Sequence, residues 1–467
     1  MTAICTRTRP IDALGPEKPY RATKRQAVLD VTGQAVAELT LAPALYVARV
    51  LDRLRSRPAV SASWTTTERY EKLLAAAKNF ESASLGGFDP DEHHRLVART
   101  TGLPLSVVRA ATETIADAAR NAVGTAERAR PRGVLLPGQH VAPGSAAAVW
   151  RRRGHLLSVL ASGNHPAVHS LWVEAVALGY RVAIRPSRRD PFTAYRLVLA
   201  LREAGFADED VLFLPCDHGT ADELVHSADL AMVFGGDDVV GRYTGGWSRT
   251  PVLPQGPGRV KVLITGPWEQ FLDVLVESVS GLGGVSCLNT TAVLVEQDAA
   301  GFSKALAERL AALRPLPPES EEAGLPCRPL AEAHAVEEFV RQQAAGAVAV
   351  LGKEGIAHDL GDGSAALRPA VHLVDDATAE QIGLEMPFPC VWVAPWSKEH
   401  GVAPLRNSLV VGVASEDEAL VNALLDESSI RNVYGLDRPT WWLPPGIPHD
   451  GFLAEFLMRS TGLARRA

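Results

Sequence analysis

Near residue 130 the pattern of apolar and polar positions along the chain changes from a helical texture to an alternating one. Upstream, VLDVTGQAVAELTLAPALYVARVLDRLRS and TERYEKLLAAAKNFESAS carry apolar residues at helical spacing. FDPDEHHRLVARTTGLPLSVVRAATETIADAARNA predicts two short helices split at Gly102-Leu103-Pro104. Residues 1–130 are therefore expected to be helical and to lack strands. The paired His93 and His94 fall on a solvated helix face in this reading, not in a metal site.

From Pro131 onward, short apolar runs alternate with amphipathic segments. HLLSVLAS, RVAIRPS, VLFLPC and DLAMVFGG predict strands, with helices HSLWVEAVALG, PFTAYRLVLALREAGF and ADELVHSA between them. This alternation indicates βαβ units and a parallel sheet, whose ligand loops lie at the carboxyl ends of the strands. TPVLPQGPGR reads as a Gly/Pro linker. Beyond it, VKVLITG, TTAVLVE, VAVLG, CVWVAPW and SLVVGVAS predict strands. WEQFLDVLVESVS, FSKALAERLAAL and EDEALVNALLDESS predict helices, and RPLPPESEEAGLPCRPL a surface loop. The tail WWLPPGIPHDGFLAEFL clusters aromatic residues and prolines. It is expected to pack on the body or on a partner subunit, with Trp441 and Trp442 as packing residues.

Composition narrows the class. A chain of 467 residues, 46% hydrophobic and 22% charged, is globular and long enough for two or three domains. A net charge of -7 gives no reason to expect nucleic acid or an anionic membrane as a partner. No apolar run is long enough to span a bilayer, and the first residues lack the apolar stretch of a signal peptide. The cysteines (Cys5, Cys216, Cys287, Cys327, Cys390) are scattered, without metal-ligand spacing. Free thiols in a reducing cytoplasm, and no metal, are expected. Arg151-Arg152-Arg153 reads as a solvated turn, or as a lure for an acidic carrier protein or a CoA phosphate.

One cysteine stands in a distinctive setting. In GLGGVSCLNTTAVLVE, glycines lead from a helix into Cys287 and a strand follows at once. Glycine lets a ligand approach the main chain, which suits a thiol that must meet a carbonyl. By itself Cys287 fits a buried structural cysteine better.

Its neighbours in sequence change that balance. SGNHPAV, RVAIRPS, FGGD, the glycine linker, GGVSC and EMPFP follow one another in an order and spacing that resembles the aldehyde dehydrogenase superfamily, from about residue 131 to the tail. Within it, the Asn-x-Pro before an aliphatic helix and Asp190-Pro191 after the second strand are similar to the acyl-CoA reductases of bacterial luminescence. RLVARTTGLPLSVVRAATE resembles the N-terminal helical region of that group. The resemblance implies an α/β fold: an N-terminal helical region (1–130), a Rossmann-like cofactor domain (131–260), an α/β catalytic domain (261–430) and a packing tail (431–467). It implies Cys287 as nucleophile, with Asn164, followed by Pro166, binding the carbonyl oxygen. Arg185, Ser187 and Arg188 would face the adenosine side of a cofactor, Phe234, Gly235 and Gly236 its pyrophosphate, and Glu385 its nicotinamide ribose. His165, inside GNHP, is either a polar loop residue or an active-site neighbour.

Departures from the family pattern shape the expected reaction. Hydrolytic members carry a Glu in the linker, where this chain has Gln255 as the only polar side chain between Val252 and Gly258. Arg185 and Arg188 stand where Lys and a ribose-binding Glu are usual, and Asp237 replaces a Ser near the phosphates. The expected function is reduction of an acyl thioester to an aldehyde through Cys287. The expected cofactor is NADPH, with NADH as the alternative, and the donor acyl-CoA or acyl carrier protein. The enzyme is expected to be a cytoplasmic homo-oligomer. The alternatives are NAD(P)-dependent aldehyde oxidation to the acid, or a redox-inactive acyltransferase or binding protein on the same fold.

Overall fold

The segment expected to be helical throughout begins with a small sheet. The computed structural model describes residues 8–246 and 249–466, which leaves Cys5 outside the described residues. Strands β1 (Arg9–Ile11), β2 (Arg25–Leu29) and β3 (Ala35–Thr40) pair in the order β1-β3-β2. The hairpin is set by Asp30, whose Oδ1 accepts the N–H of Thr32 (3.0 Å) and of Gln34 (3.0 Å), while Gly33 takes φ 85°. This side-chain turn, flanked by β-branched valines, overrides an apolar spacing that also suits a helix.

Helices α1 (Ala44–Arg55), α2 (Thr66–Ser82), α3 (Pro90–Thr101) and α4 (Leu105–Arg128) follow. Gly102 at φ 74° ends α3, and α4 starts after Pro104, so the predicted break is present. At 24 residues α4 is not short. The histidine pair does not lie on a solvated face. His93 is buried edge-on against Phe80, and His94 Nε2 lies 3.1 Å from Thr112 Oγ1. The Phe80 contact comes from α2 packing on this side, which the periodicity of α3 alone does not show.

Strand β4 (Ala146–Arg152) precedes the first α/β unit: β5 (Leu156–Leu160), α5 (Val173–Ala177), β6 (Arg181–Arg185), α6 (Phe192–Glu203), β7 (Val211–Phe213), α7 (His218–His226), β8 (Leu230–Phe234), α8 (Asp237–Thr244) and β9 (Val252–Gln255). All five strands from β5 to β9 are parallel, in the order β7-β6-β5-β8-β9. The order reverses between β5 and β8, so the loops after these strands lie side by side at the carboxyl edge. The predicted linker thus contributes a strand, and only residues 256–259 cross to the second sheet.

That second unit contains β10 (Val260–Ile264), α9 (Leu272–Ser280), β11 (Thr290–Val295), α10 (Ala299–Leu310), β12 (Cys327–Pro329), α11 (Leu330–Gln343), β13 (Val348–Leu351), β14 (Ala357–Asp359), β15 (Ser364–Leu367), β16 (Ala370–Leu373), β17 (Cys390–Pro395), β18 (Ser408–Ala414), α12 (Glu418–Asp426) and β19 (Ile430–Gly435). Its main sheet runs β13-β16-β17-β11-β10-β18-β19, parallel except for β13. Strands β12, β15 and β14 form a separate sheet. The predicted surface loop therefore ends in a buried strand, where the Arg328 guanidinium donates to Thr101 O at 2.7 Å.

The tail folds back over the first unit. Helix α13 (Leu453–Leu457) leads into β20 (Met458–Ala464), which pairs antiparallel with β4. The arginine triplet is not a free turn. Arg151 donates to Thr461 Oγ1 (2.9 Å), Arg152 to Gly179 O (3.0 Å) and Arg153 to Phe456 O (2.8 Å), so two of the three clamp the tail. Among the described residues no helix is long and apolar enough to cross a membrane, and no His/Cys/Asp/Glu group could hold a metal ion.

Candidate active site

Between α9 and β11 the chain must turn sharply, and its glycines permit it. Gly284 sits at φ 64°, and a Cβ there would lie 2.4 Å from Pro389, so only glycine fits. Asn289 pins the loop: its Oδ1 accepts the N–H of Ser286 (2.8 Å), and its Nδ2 donates to Ser278 O (3.0 Å) and Gly281 O (2.8 Å). Cys287 is held half-buried beside Val260, Leu288, Leu409 and Val410. Across from it, a Cβ on Gly258 would lie 1.9 Å from the Cys287 carbonyl oxygen. The linker backbone therefore presses directly on the cysteine.

The surroundings keep the sulfur protonated at rest. Burial, then the charges of Glu385 and Asp450, push the Cys287 thiol up to about 12. A thiolate can form only when a nearby base accepts the proton. That base is present: His449 Nε2 lies 3.4 Å from Cys287 Sγ. His449 is buried, and burial lowers its basicity, so the imidazole is neutral at neutral pH. Its Nδ1 lies 3.8 Å from Asp450 Oδ2, and its carbonyl accepts a 2.7 Å hydrogen bond from Asn432 Nδ2. Sequence reasoning missed His449. The signal available was a histidine and aspartate inside a Pro/Gly turn (PPGIPHDG), with no spacing to tie it to a cysteine 162 positions away.

Asn164 lies beside the cysteine loop. Its Nδ2 donates to Val285 O at 3.0 Å, and its Oδ1 accepts from Ser162 Oγ at 2.6 Å. One amide hydrogen is thereby fixed, and the second remains for a ligand oxygen. Asn164→Ala is expected to lower kcat by on the order of 10²–10³ with little change in cofactor affinity. An unchanged kcat in steady-state assays would remove Asn164 from the chemistry. His165 is a buried loop residue: its Nδ1 accepts the N–H of Ala167 at 3.2 Å, and burial pulls its pKa down to about 4.

The remaining predicted residues gather at the carboxyl edge of the first sheet. Arg185, at the end of β6, is buried, with Nε 3.4 Å from Cys216 O and Nη2 3.4 Å from His218 Nδ1. Ser187 Oγ accepts the N–H of Arg189 (3.1 Å), Arg188 is exposed, and Arg189 pairs with Glu332 at 2.7 Å. Phe234 ends β8, and Gly235 donates to Gln255 O at 3.1 Å. Helix α8 starts after Gly236 without a side-chain cap, which leaves its first N–H groups available to an anion. Asp237 is ion-paired with Arg259, so the repulsion expected at this position is offset within the protein. Glu385 is engaged elsewhere: its Oε2 accepts the N–H of Gly258 at 2.9 Å, and burial raises its pKa. The uncapped helix start, the reversal point of the sheet and the arginines fit a dinucleotide. The engaged Glu385 carboxylate is the one departure.

On the other side of His449 lies a cavity of about 220 Å³. Gln255 and His449 stand in its wall, with residues from α4, α5 and the 443–453 segment. Gln255 is buried, and its Nε2 lies 3.1 Å from Pro254 O.

Comparison with known proteins places this architecture. A stretch of 141 residues is 32% identical to a probable methylmalonate-semialdehyde/malonate-semialdehyde dehydrogenase [acylating] of Caenorhabditis elegans, spanning 28% of this chain and 27% of that protein. The fold is similar to PnpE from Pseudomonas sp. WBC-3 (TM-score 0.83, 17% identity, 98% of each chain). It is also similar to aldehyde dehydrogenase 21 from Physcomitrella patens, crystallised with the reaction product succinate (TM-score 0.80, 17% identity, 98% of each chain). An indole-3-acetaldehyde dehydrogenase bound to NAD+ matches at TM-score 0.81 and 15% identity, over 97% of this chain and 96% of that one. The family model described as "Aldehyde dehydrogenase family" matches residues 20–434, and the chain belongs to that family.

Proposed function

We propose that this enzyme reduces an acyl thioester to an aldehyde through a thioester on Cys287, with acyl-CoA or acyl carrier protein as donor. The observation that carries this reading is the Cys287–His449 pair beside an amide, Gln255, where a hydrolytic base would stand. His449 Nε2 takes the thiol proton as Sγ bonds to the acyl carbon. The bond from that carbon to the donor sulfur breaks, and the departing thiolate receives the proton from His449. Asn164 and the Cys287 backbone N–H are the donors to the tetrahedral oxyanion. A reduced nicotinamide, when bound, supplies the hydride. With the hydride on the acyl carbon, the bond from that carbon to Sγ breaks, the aldehyde leaves, and the Cys287 thiolate takes a proton that solvent delivers through His449. The Gln255 amide cannot accept a proton from water, so hydrolysis lacks a base at the linker position. The C. elegans relative, named as acylating, supports chemistry with a thiol partner.

For the cofactor, Arg185, Ser187 and Arg188 would hold the adenosine end, and Gly235 with Gly236 the pyrophosphate. Arg188 is exposed at that edge, and guanidinium matches a 2′-phosphate. NADPH is the preferred form in this reading. Arg188→Glu should weaken NADPH binding selectively in a fluorescence titration, with NADH nearly unaffected. Equal NADPH affinity in both proteins would rule out that role.

The deciding experiment is an acyl-CoA panel with NADH and NADPH, followed by nicotinamide absorbance and by intact mass for an acyl adduct. Consumption of reduced cofactor with aldehyde release is expected. Fast multiple turnover of aldehyde to free acid, without any thiol acceptor, would overturn the proposal in favour of ordinary oxidation.

A further inference from the structure

The cavity beside His449 has a chemical bias of its own. Its α4 wall presents Thr114, Asp117, Asn121 and Thr125, and the facing wall presents Ser170 and Glu174. Among the described residues no lysine or arginine lines it. Arg128 packs against Gly446 of the covering segment but is not part of the lining. Asp117 is exposed and already paired with Arg120 at 2.7 Å. Glu174 differs. It is 7% exposed, on a short helix whose other residues are buried and apolar. Its Oε1 accepts the N–H of Ala454 at 2.8 Å, and no described residue donates to its other oxygen. Burial, against the Ala454 N–H bond and with a smaller push from another carboxylate, Glu455, raises its pKa to about 7. A buried carboxyl group without a cation, in the wall of a cavity that reaches His449, lacks a charge partner when it is ionised.

We infer that this partner is the substrate: Glu174 receives an ammonium group at the far end of the acyl chain, so the enzyme prefers ω-amino-acyl thioesters to alkyl or carboxylated ones. The substrate class rests on the thioester reading above, whereas recognition of the cation does not. An ammonium supplies several N–H donors to Glu174, with Asn121, Thr114, Thr125 and Ser170 as polar neighbours. A carboxylated tail meets only like charge and is rejected. An alkyl tail leaves Glu174 unpaired.

Two measurements separate the claims. The first compares ω-aminohexanoyl-CoA, heptanoyl-CoA and adipoyl-CoA as substrates of the wild type and of Glu174→Gln. The second compares the rates at which ω-aminohexyl, heptyl and ω-carboxyhexyl methanethiosulfonates modify Cys287, each normalised to its rate with glutathione. The sulfur of the reagent bonds to Cys287 Sγ and methanesulfinate leaves, so no turnover is needed. In both series the wild type should favour the ammonium over the neutral tail by about tenfold or more, and disfavour the carboxylate. In Glu174→Gln the ammonium advantage should disappear while neutral tails react as before. The Gln amide oxygen still accepts the Ala454 N–H, so a merely structural role for Glu174 would leave the ranking intact. A cation preference in modification without turnover of any acyl-CoA would sink the thioester reading and uphold the recognition. No cation preference, or one that survives in Glu174→Gln, would overturn the inference.

Discussion

Cys287→Ala is expected to abolish both the acyl adduct and turnover, lowering the rate by at least about 10⁴-fold, while the fold persists. The side chain is half-buried at the edge of a small apolar cluster, so its loss costs on the order of 1 kcal/mol of stability. No described cysteine can replace it. Cys216, Cys327 and Cys390 are buried, and burial pushes each thiol up, Cys216 and Cys327 to about 12. Cys216 lies in the core beside Leu212 and Leu214. Intact-protein mass spectrometry after mixing with acyl-CoA checks the result. A stable adduct in Cys287→Ala would move the chemistry to another residue.

The second large effect concerns proton transfer. His449→Gln should slow acylation by about 10²–10⁴-fold. The local fold is expected to survive, because Asn432 holds the backbone carbonyl of residue 449 and not its ring. The pH profile distinguishes a base from a packing residue. Burial lowers the His449 pKa below the ordinary 6.5, so the neutral, proton-accepting form is kept as pH falls toward that lowered value and is lost below it. The wild-type acylation rate should therefore stay level through neutral pH and drop only below about 6.5. In His449→Gln that acid limb should vanish, and the rate should rise with pH toward the thiol's own ionisation near 12. An acid limb unchanged in the variant would assign it to another group.

Much of this arrangement is legible in the amino-acid sequence alone. The core strands are continuous apolar runs bounded by turns, as in LAMVF and CVWVAP, and buried parallel strands leave that trace. Cys287 and Asn164 stand out only through the order of GNHP, RPS, FGG and GGVSC, which resembles the family, because by itself Cys287 reads as a buried structural cysteine. Less is visible where two periods coincide. Val28, Val31 and Leu39 suit a helix as well as a hairpin, and only the Asp30 turn decides between them. Pro254 conceals β9 inside an apparent linker. His449 is hidden for a different reason. Its meaning comes from a partner on another element, and a single sequence carries no trace of that contact. The buried side of His93 is hidden in the same way.

The stretch 443–453 both carries His449 and covers the cavity, and this joins two traits that natural selection often treats apart. A change there that admits a new chain also shifts the proton acceptor. Variation in substrate range is therefore easiest on the opposite wall, at α4 positions such as Asn121 and Thr125, where side chains can change while the acceptor stays in place. In a lineage descended from this enzyme, α4 would diversify as the accepted chains diverge, and the covering stretch would be held nearly fixed.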